Sequence, residues 1–428
     1  MNIIQIIPGS GGSFYCGNCL RDSKYFNAIR KLGHRVTKIP MYLPLFSDEH
    51  DIADIPIFYG AISTYLKQVY PVFRRAPMWF DKILNSKPMM KMAASMAGST
   101  RAKGLEDMTV SMLLGEQGAQ KEELEHLVSW IAGNCKPDII HLSNALLLGL
   151  AKRLKEEVGV PVVCSLQDED VWVDVMQPAF RDKIWGIMQK RAEDVDALVA
   201  VSDFYARIMK EKMGLPSSGL HTFHLGVDHE DYIFTPAGQK PRNVGYVSRM
   251  CYDNGFDIVV DAFIKLKENP GFDDVKLIAT GGYTGDDAKF VKEQVRKIKE
   301  NGLADKFEIL TEFEDDAIHD FFAKVALVSV PVRAGEAFGI YLIESMVSGV
   351  PVVQPALGAF PEIVTLSGGG VIYEPNTPEK LSETWAVVLS DPERLELLSY
   401  SGYDGTMEKF NIDKQAAGII DLYESLAK

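Results

Sequence analysis

Residues 330–351 read Val-Pro-Val-Arg-Ala-Gly-Glu-Ala-Phe-Gly-Ile-Tyr-Leu-Ile-Glu-Ser-Met-Val-Ser-Gly-Val-Pro. The run that leads in, 327–332, is mostly apolar and valine-rich, the composition of a buried parallel strand. A polar loop follows over 333–337. Phe338, Ile340, Leu342, Ile343, Met346 and Val347 are then apolar at helical spacing, and Gly349 stops the pattern. Residues 350–353 open the next strand. Strand, loop, helix, strand is the repeating unit of a nucleotide-binding sheet, so the spacing predicts an α/β, doubly wound fold.

The loop also has a chemical reading. A helix that starts near Phe338 and Gly339 presents unpaired N–H groups and a positive dipole end there. Such an end suits a pyrophosphate, and Gly339 removes the side chain where a phosphate needs close backbone approach. Glu336 stands just before the helix, and Glu344 lies about five residues in, roughly 7.5 Å along the axis. Two carboxylates therefore bracket a phosphate site. Carboxylates repel phosphate, so their partners are hydroxyls, and a nucleotide-sugar has hydroxyls on both sides of its pyrophosphate. The competing reading is a buried α/β unit with two incidental glutamates.

The 18-residue pattern Glu-Ala-Phe-Gly-x-x-x-x-Glu-Ser-Met-x-x-Gly-x-Pro-Val-Val over 336–353 resembles the Glu-x7-Glu signature of family 4 retaining glycosyltransferases. That resemblance implies the GT-B fold, two Rossmann-like doubly wound lobes facing a central cleft. It implies no metal and no cofactor. It also implies that Glu336 orients the donor sugar, that Glu344 holds the ribose, and that the backbone of Ala337, Phe338 and Gly339 meets the diphosphate.

Length and composition bound the rest. The 428 residues suit two or three domains, and 46% hydrophobic with 24% charged residues is ordinary for a globular chain. A net charge of −14 argues against broad nucleic-acid binding. Five scattered cysteines fit a reducing cytosol better than a disulfide framework. The start, Met-Asn-Ile-Ile-Gln-Ile-Ile-Pro, lacks a basic leader and reads as the first strand. No run of 18 apolar residues exists. The expected location is the cytoplasm.

From the N-terminus, strand 3–7 leads into the glycine loop 8–13 and a helix over 20–32. Gly-x-Gly-x-x-Gly is not matched cleanly, so the loop alone reads equally as a tight turn. By resemblance, Gly11 and Gly12 line the cleft and approach the donor phosphate or the acceptor. Cys16 and Cys19 form the one Cys-x-x-Cys; without a second ligand pair, packed thiols are favoured over a redox or metal site. Residues 60–103 carry eight Lys/Arg against Asp81 alone, and five methionines. Two readings stand: an ordinary helical insertion over about 60–118 with a solvated face, or a basic arm for an anionic acceptor or the inner membrane surface.

Strand 139–142, helix 145–158 and strand 160–165 continue the alternation. The second of these strands ends at Gln167-Asp168-Glu169-Asp170, on the side where open sheets bind ligands. Asp168 is assigned to the acceptor side. A divalent metal on these acids is the alternative reading. Ser202 and Asp203 read as the cap of helix 204–213. Residues 1–228 form the first lobe and 243–412 the nucleotide-sugar lobe, joined by the Pro/Gly-rich linker 230–242, with the final helix 413–428 expected to return to the first lobe. The segment after strand 243–248 resembles the family's donor-phosphate loop. Arg249 matches its arginine, while Asn254 stands where its lysine is expected.

The implied activity is retaining transfer of a sugar from a nucleotide-diphosphate-sugar donor to an unknown glycan, lipid or small-molecule acceptor, with Glu336 and Arg249 as catalytic residues. A GT-B epimerase or phosphorylase, or a catalytically silent sugar-nucleotide-binding homologue suggested by Asn254, remain alternatives. A nicotinamide dehydrogenase lacks its full fingerprint at the glycine loop.

Overall fold

A computed structural model describes residues 1–8, 17–41, 104–310 and 315–428, with backbone alone for 17–23 and 315–316. Gly11, Gly12, Cys16 and the basic, Met-rich segment 60–103 lie outside the described residues, as does the Cys19 side chain. The chain divides into two units, Met1–Phe223 with Ala416–Lys428, and His224–Gln415.

The first unit runs β1 (Asn2–Ile7), α1 (Gly17–Lys31), β2 (Arg35–Pro40), α2 (Glu106–Leu114), α3 (Lys121–Asn134), β3 (Ile139–Leu142), α4 (Ala151–Val158), β4 (Val162–Leu166), α5 (Glu169–Val173), α6 (Pro178–Arg191), β5 (Ala197–Ala200), α7 (Asp203–Met213) and β6 (Leu220–Thr222). Its six strands are parallel, in the order β2-β1-β3-β4-β5-β6. Every residue of β3, β4 and β5 is buried, as a parallel sheet covered on both faces requires. Ser202 caps α7 by accepting the Tyr205 N–H at 3.0 Å. The single helix expected over 145–158 is instead a 3-10 segment, Ala145–Leu150, followed by α4. The Asn144 side chain accepts the Leu146 N–H at 3.0 Å and winds the start into this tighter turn.

The second unit runs β7 (Val244–Val247), α8 (Phe256–Leu266), β8 (Leu277–Thr280), α9 (Ala288–Glu300), β9 (Phe307–Ile309), α10 (Asp315–Ala323), β10 (Leu327–Val328), α11 (Ile340–Val347), β11 (Val352–Pro355), α12 (Phe360–Ser367), β12 (Gly370–Tyr373), α13 (Pro378–Leu389) and α14 (Pro392–Lys409). Its six parallel strands are ordered β12-β11-β10-β7-β8-β9, so the order reverses between β10 and β7. This is the strand order of a Rossmann sheet, and ligands bind at the carboxyl ends beside the reversal. The strand expected over 327–332 pairs only at Leu327 and Val328. The Ser329 N–H still reaches the Gly245 carbonyl at 3.0 Å, but Pro331 has no N–H to continue the ladder. The chain therefore leaves the sheet early, directly into the loop that precedes α11.

A last helix, α15 (Ile412–Leu426), lies from Ala416 onward in the first unit. There Tyr423 shares a hydrogen bond with His141, whose other ring nitrogen meets Ser165 Oγ at 2.8 Å. The segment expected as a linker packs against the end of α11. The Thr235 N–H and Lys240 Nζ both donate to the Ser348 carbonyl, at 3.4 and 2.7 Å. Lys240 is buried, and that burial pushes its pKa down to about 7. Among the described residues no helix is long and apolar enough to cross a membrane.

Candidate active site

Three loops leave the carboxyl ends of β7, β8 and β10: residues 248–255, 281–287 and 329–339. The second unit thus brings Arg249, Asn254, Glu336, Ala337, Phe338, Gly339 and Glu344 to one edge of its sheet or to the helix that starts there.

The helix tip is built by local constraint. Gly339 precedes α11 in the left-handed region (φ 85), a conformation strained for other residues. Helical geometry begins at Ile340, two residues later than Phe338, because this turn must be made first. Glu336 Oε2 lies 3.3 Å from where a β-carbon on Gly339 would stand, so its carboxylate faces the tip. The rest of the tip is walled by aromatic rings. Phe338 is 2% exposed and meets His224 and Phe410 at ring distances of 6.3 and 5.8 Å. His224 in turn shares a hydrogen bond with Glu362 at 2.8 Å.

The backbone of Glu336 is clamped from the next loop. The Ala359 N–H donates to the Glu336 carbonyl at 3.0 Å. Gly335 and Gly358 meet face to face: a β-carbon on Gly358 would stand 2.5 Å from the Glu336 nitrogen, and one on Gly335 2.4 Å from the Gly358 nitrogen. Glu344, the fifth residue of α11, is 2% exposed and accepts the Tyr232 hydroxyl at 2.7 Å.

Both arginines of these loops are held by aspartates. Arg249 donates through Nε and Nη2 to the two oxygens of Asp287, at 2.9 and 3.2 Å. Burial alone would raise the Asp287 pKa; hydrogen bonds from Arg249 and Thr284 outweigh it and hold the carboxyl below its ordinary value. Arg333 forms a second fork on Asp257, at 3.0 and 2.7 Å, donates to the Tyr252 carbonyl, and lies 3.6 Å over the Tyr252 ring. Its own N–H donates to the Asp253 carbonyl at 3.0 Å, tying loop 329–339 to loop 248–255. Asn254 is a tie within its loop. Its amide donates to Ser248 Oγ at 2.9 Å and to the Arg249 carbonyl at 3.2 Å.

The first unit has a different edge. Gln167 donates to the Ser143 carbonyl at 2.6 Å, and Asp168 takes a left-handed backbone (φ 56) ahead of α5. Glu169 is buried and accepts from the Ala145 and Gln167 N–H groups and the Tyr205 hydroxyl, at 2.8, 2.7 and 2.8 Å. Burial pushes its pKa up to about 7 against those donors. Among the described residues no group of three or more His, Cys, Asp or Glu is placed to hold a metal.

Sequence reasoning did not single out Asp257, Asp287, Arg333 or Tyr232. Asp287 had a signal, since Thr284-x-x-Asp287 is a capping-box spacing at a helix start. Arg333 stood in the opening loop but was read only as polar. Tyr232 bonds a carboxylate 112 positions away, and nothing local marks it.

Residues 120–231 match the family model described as Glycosyltransferase Family 4, and residues 230–405 match Glycosyl transferases group 1. A lipopolysaccharide core biosynthesis mannosyltransferase of Rhizobium meliloti is 34% identical over 43% of this chain, which spans 52% of that relative's length. HepE of Anabaena, solved with UDP and with UDP-glucose, superposes with TM-scores of 0.69 and 0.67 over the whole of both chains at 18% identity. Sucrose-phosphate synthase of Thermosynechococcus elongatus gives 0.72 at 16% identity, covering 100% of this chain and 99% of that one. Together with the two parallel sheets, these likenesses show the two-lobed GT-B fold.

Proposed function

We propose that this GT-B chain, a family-4-like glycosyltransferase by its two family matches, moves a hexosyl group from a nucleotide-diphosphate-sugar to an acceptor with retained anomeric configuration. The observation that carries the reading is the tip of α11, at the strand-order reversal, with the Glu336 carboxylate 3.3 Å from the Gly339 β position and Arg249 on the neighbouring loop. Glu336 takes the hydroxyls of the donor sugar and fixes the anomeric carbon. Glu344 takes the ribose and shares its carboxylate with the Tyr232 hydroxyl. Arg249 and the backbone of Ala337, Phe338 and Gly339 meet the diphosphate, whose charge grows as it departs. Asn254 shapes the loop that carries Arg249. Asp168 serves the acceptor.

The bond from the anomeric carbon to the diphosphate oxygen breaks, and the acceptor oxygen bonds to that carbon from the same face. The departing phosphate oxygen takes the acceptor's proton, so no side-chain nucleophile or metal is required.

The test is a thermal-shift panel of UDP-, GDP- and ADP-sugars on the full chain, followed by product analysis with the stabilising donor. A ligand that binds only the folded chain raises its melting temperature. Stabilisation by one donor, with sugar transferred and its anomeric configuration kept, is the expected result. An inverted product removes the retaining assignment. No stabilisation by any sugar nucleotide removes the transferase reading.

A further inference from the structure

The loops of the proposed donor site carry fewer cations than acids, so every cation among them counts. The three loops 248–255, 281–287 and 329–339 contain two cationic residues, Arg249 and Arg333, against four acids, Asp253, Asp286, Asp287 and Glu336. A diphosphate adds further negative charge to this edge. With Arg249 alone, one cation would face four carboxylates and the ligand, and like charges at close range are strongly unfavourable.

Asn254 cannot make up the difference. It is neutral, and its amide is engaged with Ser248 and the Arg249 carbonyl. Arg333 can. It lies on the loop after β10, across the strand-order reversal from Arg249. Its backbone is bonded to Asp253, within the loop that carries Arg249. Its side chain is 28% exposed, so it is held without being sealed off. Asp257 and Tyr252 fix its plane from two sides, by a fork and by a ring face. The two arginines are arranged alike, each braced by one aspartate, Asp287 and Asp257.

We propose that Arg333 is the second cation of the donor diphosphate site, paired with Arg249 across the strand-order reversal, and that Asp257 and Tyr252 orient its guanidinium. This rests on the donor reading above. Arg333 reads the diphosphate and not the base or the sugar. Its removal therefore weakens nucleoside diphosphates of any base, and weakens nucleoside monophosphates less.

The experiment is isothermal titration of the full chain with UDP, GDP and ADP and with the matching monophosphates, on wild type, R333M and R333M/D257N. Methionine keeps a chain to pack on Tyr252 but removes the charge. Charge-assisted contacts of this kind are worth about ten- to a hundredfold in affinity, and R333M is expected to lose that much for the diphosphate. The double variant removes the Asp257 carboxylate that R333M leaves unmatched. If it stays weak, the lost cation is the cause, and Arg333 is confirmed as a ligand contact. If it returns to wild-type affinity, or if R333M binds normally, the inference is overturned while the donor reading stands. A wild type that binds no nucleoside diphosphate overturns that reading itself. Should R333M fail to fold, R333Q against R333Q/D257N makes the same comparison, with the same loss expected because glutamine carries no charge.

Discussion

The carboxyl edges of the two sheets are built from the same strands-and-loops plan but solve charge in opposite ways. In the second unit two of the acids are matched by arginine forks, Asp287 on Arg249 and Asp257 on Arg333. In the first unit Glu169 is surrounded by neutral donors, two N–H groups and the Tyr205 hydroxyl. An edge with fixed guanidinium groups suits an anion; an edge of amides, hydroxyls and an acid suits neutral hydroxyl-bearing groups. The difference is in line with the proposed donor diphosphate on the second sheet and the proposed acceptor on the first.

The strongest way to break this contrast is to disable each edge separately. Glu336→Gln and Arg249→Ala are each expected to lower the transfer rate by about two orders of magnitude or more, the scale of losing one preorganised stabilising group. Steady-state rates with the stabilising donor check this, and full activity in both variants rejects the site. Glu169→Gln, by contrast, should leave nucleoside-diphosphate affinity within about twofold of wild type, because no guanidinium depends on it. A large loss of donor affinity there would erase the division between the edges.

A smaller effect sharpens the contrast through pH. Glu169 titrates near 7 in the folded chain and at an ordinary 4.5 when free, so the folded chain holds a proton between those values that the unfolded chain has released. Its stabilising contribution is complete below about 4.5 and is lost as pH rises through about 7. Glu169→Gln should flatten that part of a melting-temperature profile. Lys240 has the opposite sign in a higher window. Its folded value near 7, against an ordinary 10.5, makes stability rise with pH between the two and fall as pH drops through about 7. Lys240→Met should therefore gain melting temperature below pH 7 relative to wild type. The smallest expected effect is Tyr232→Phe. It removes one hydroxyl from Glu344 and should change donor KM by only a few fold, since a single hydrogen bond is worth about 1 kcal/mol.

The sheets were legible because fully buried parallel strands are continuous apolar runs, and the α11 loop was legible because a glycine, two acids and a helical pattern fall within a few residues of one another. What stayed hidden has a common physical cause. Arg249 finds Asp287 over 38 positions, Arg333 finds Asp257 over 76, and Tyr232 finds Glu344 over 112. Each pairing is made by the folded sheet, not by local spacing. Strand β10 was overextended in the sequence reading because valine-rich composition outweighed Pro331, which has no ladder hydrogen to give. The linker was read from Pro and Gly content, yet Lys240 and Thr235 bind the end of α11.

The pair Gly335 and Gly358 has an evolutionary corollary. Because their main chains touch, with no room for a methyl group on either, the position of the Glu336 carboxylate is dictated partly by a residue 22 places further along. Variation that spares every proposed ligand contact still reaches the site through that one abutment. In a saturation library, Gly358 should be as intolerant as the glutamate whose backbone it confines.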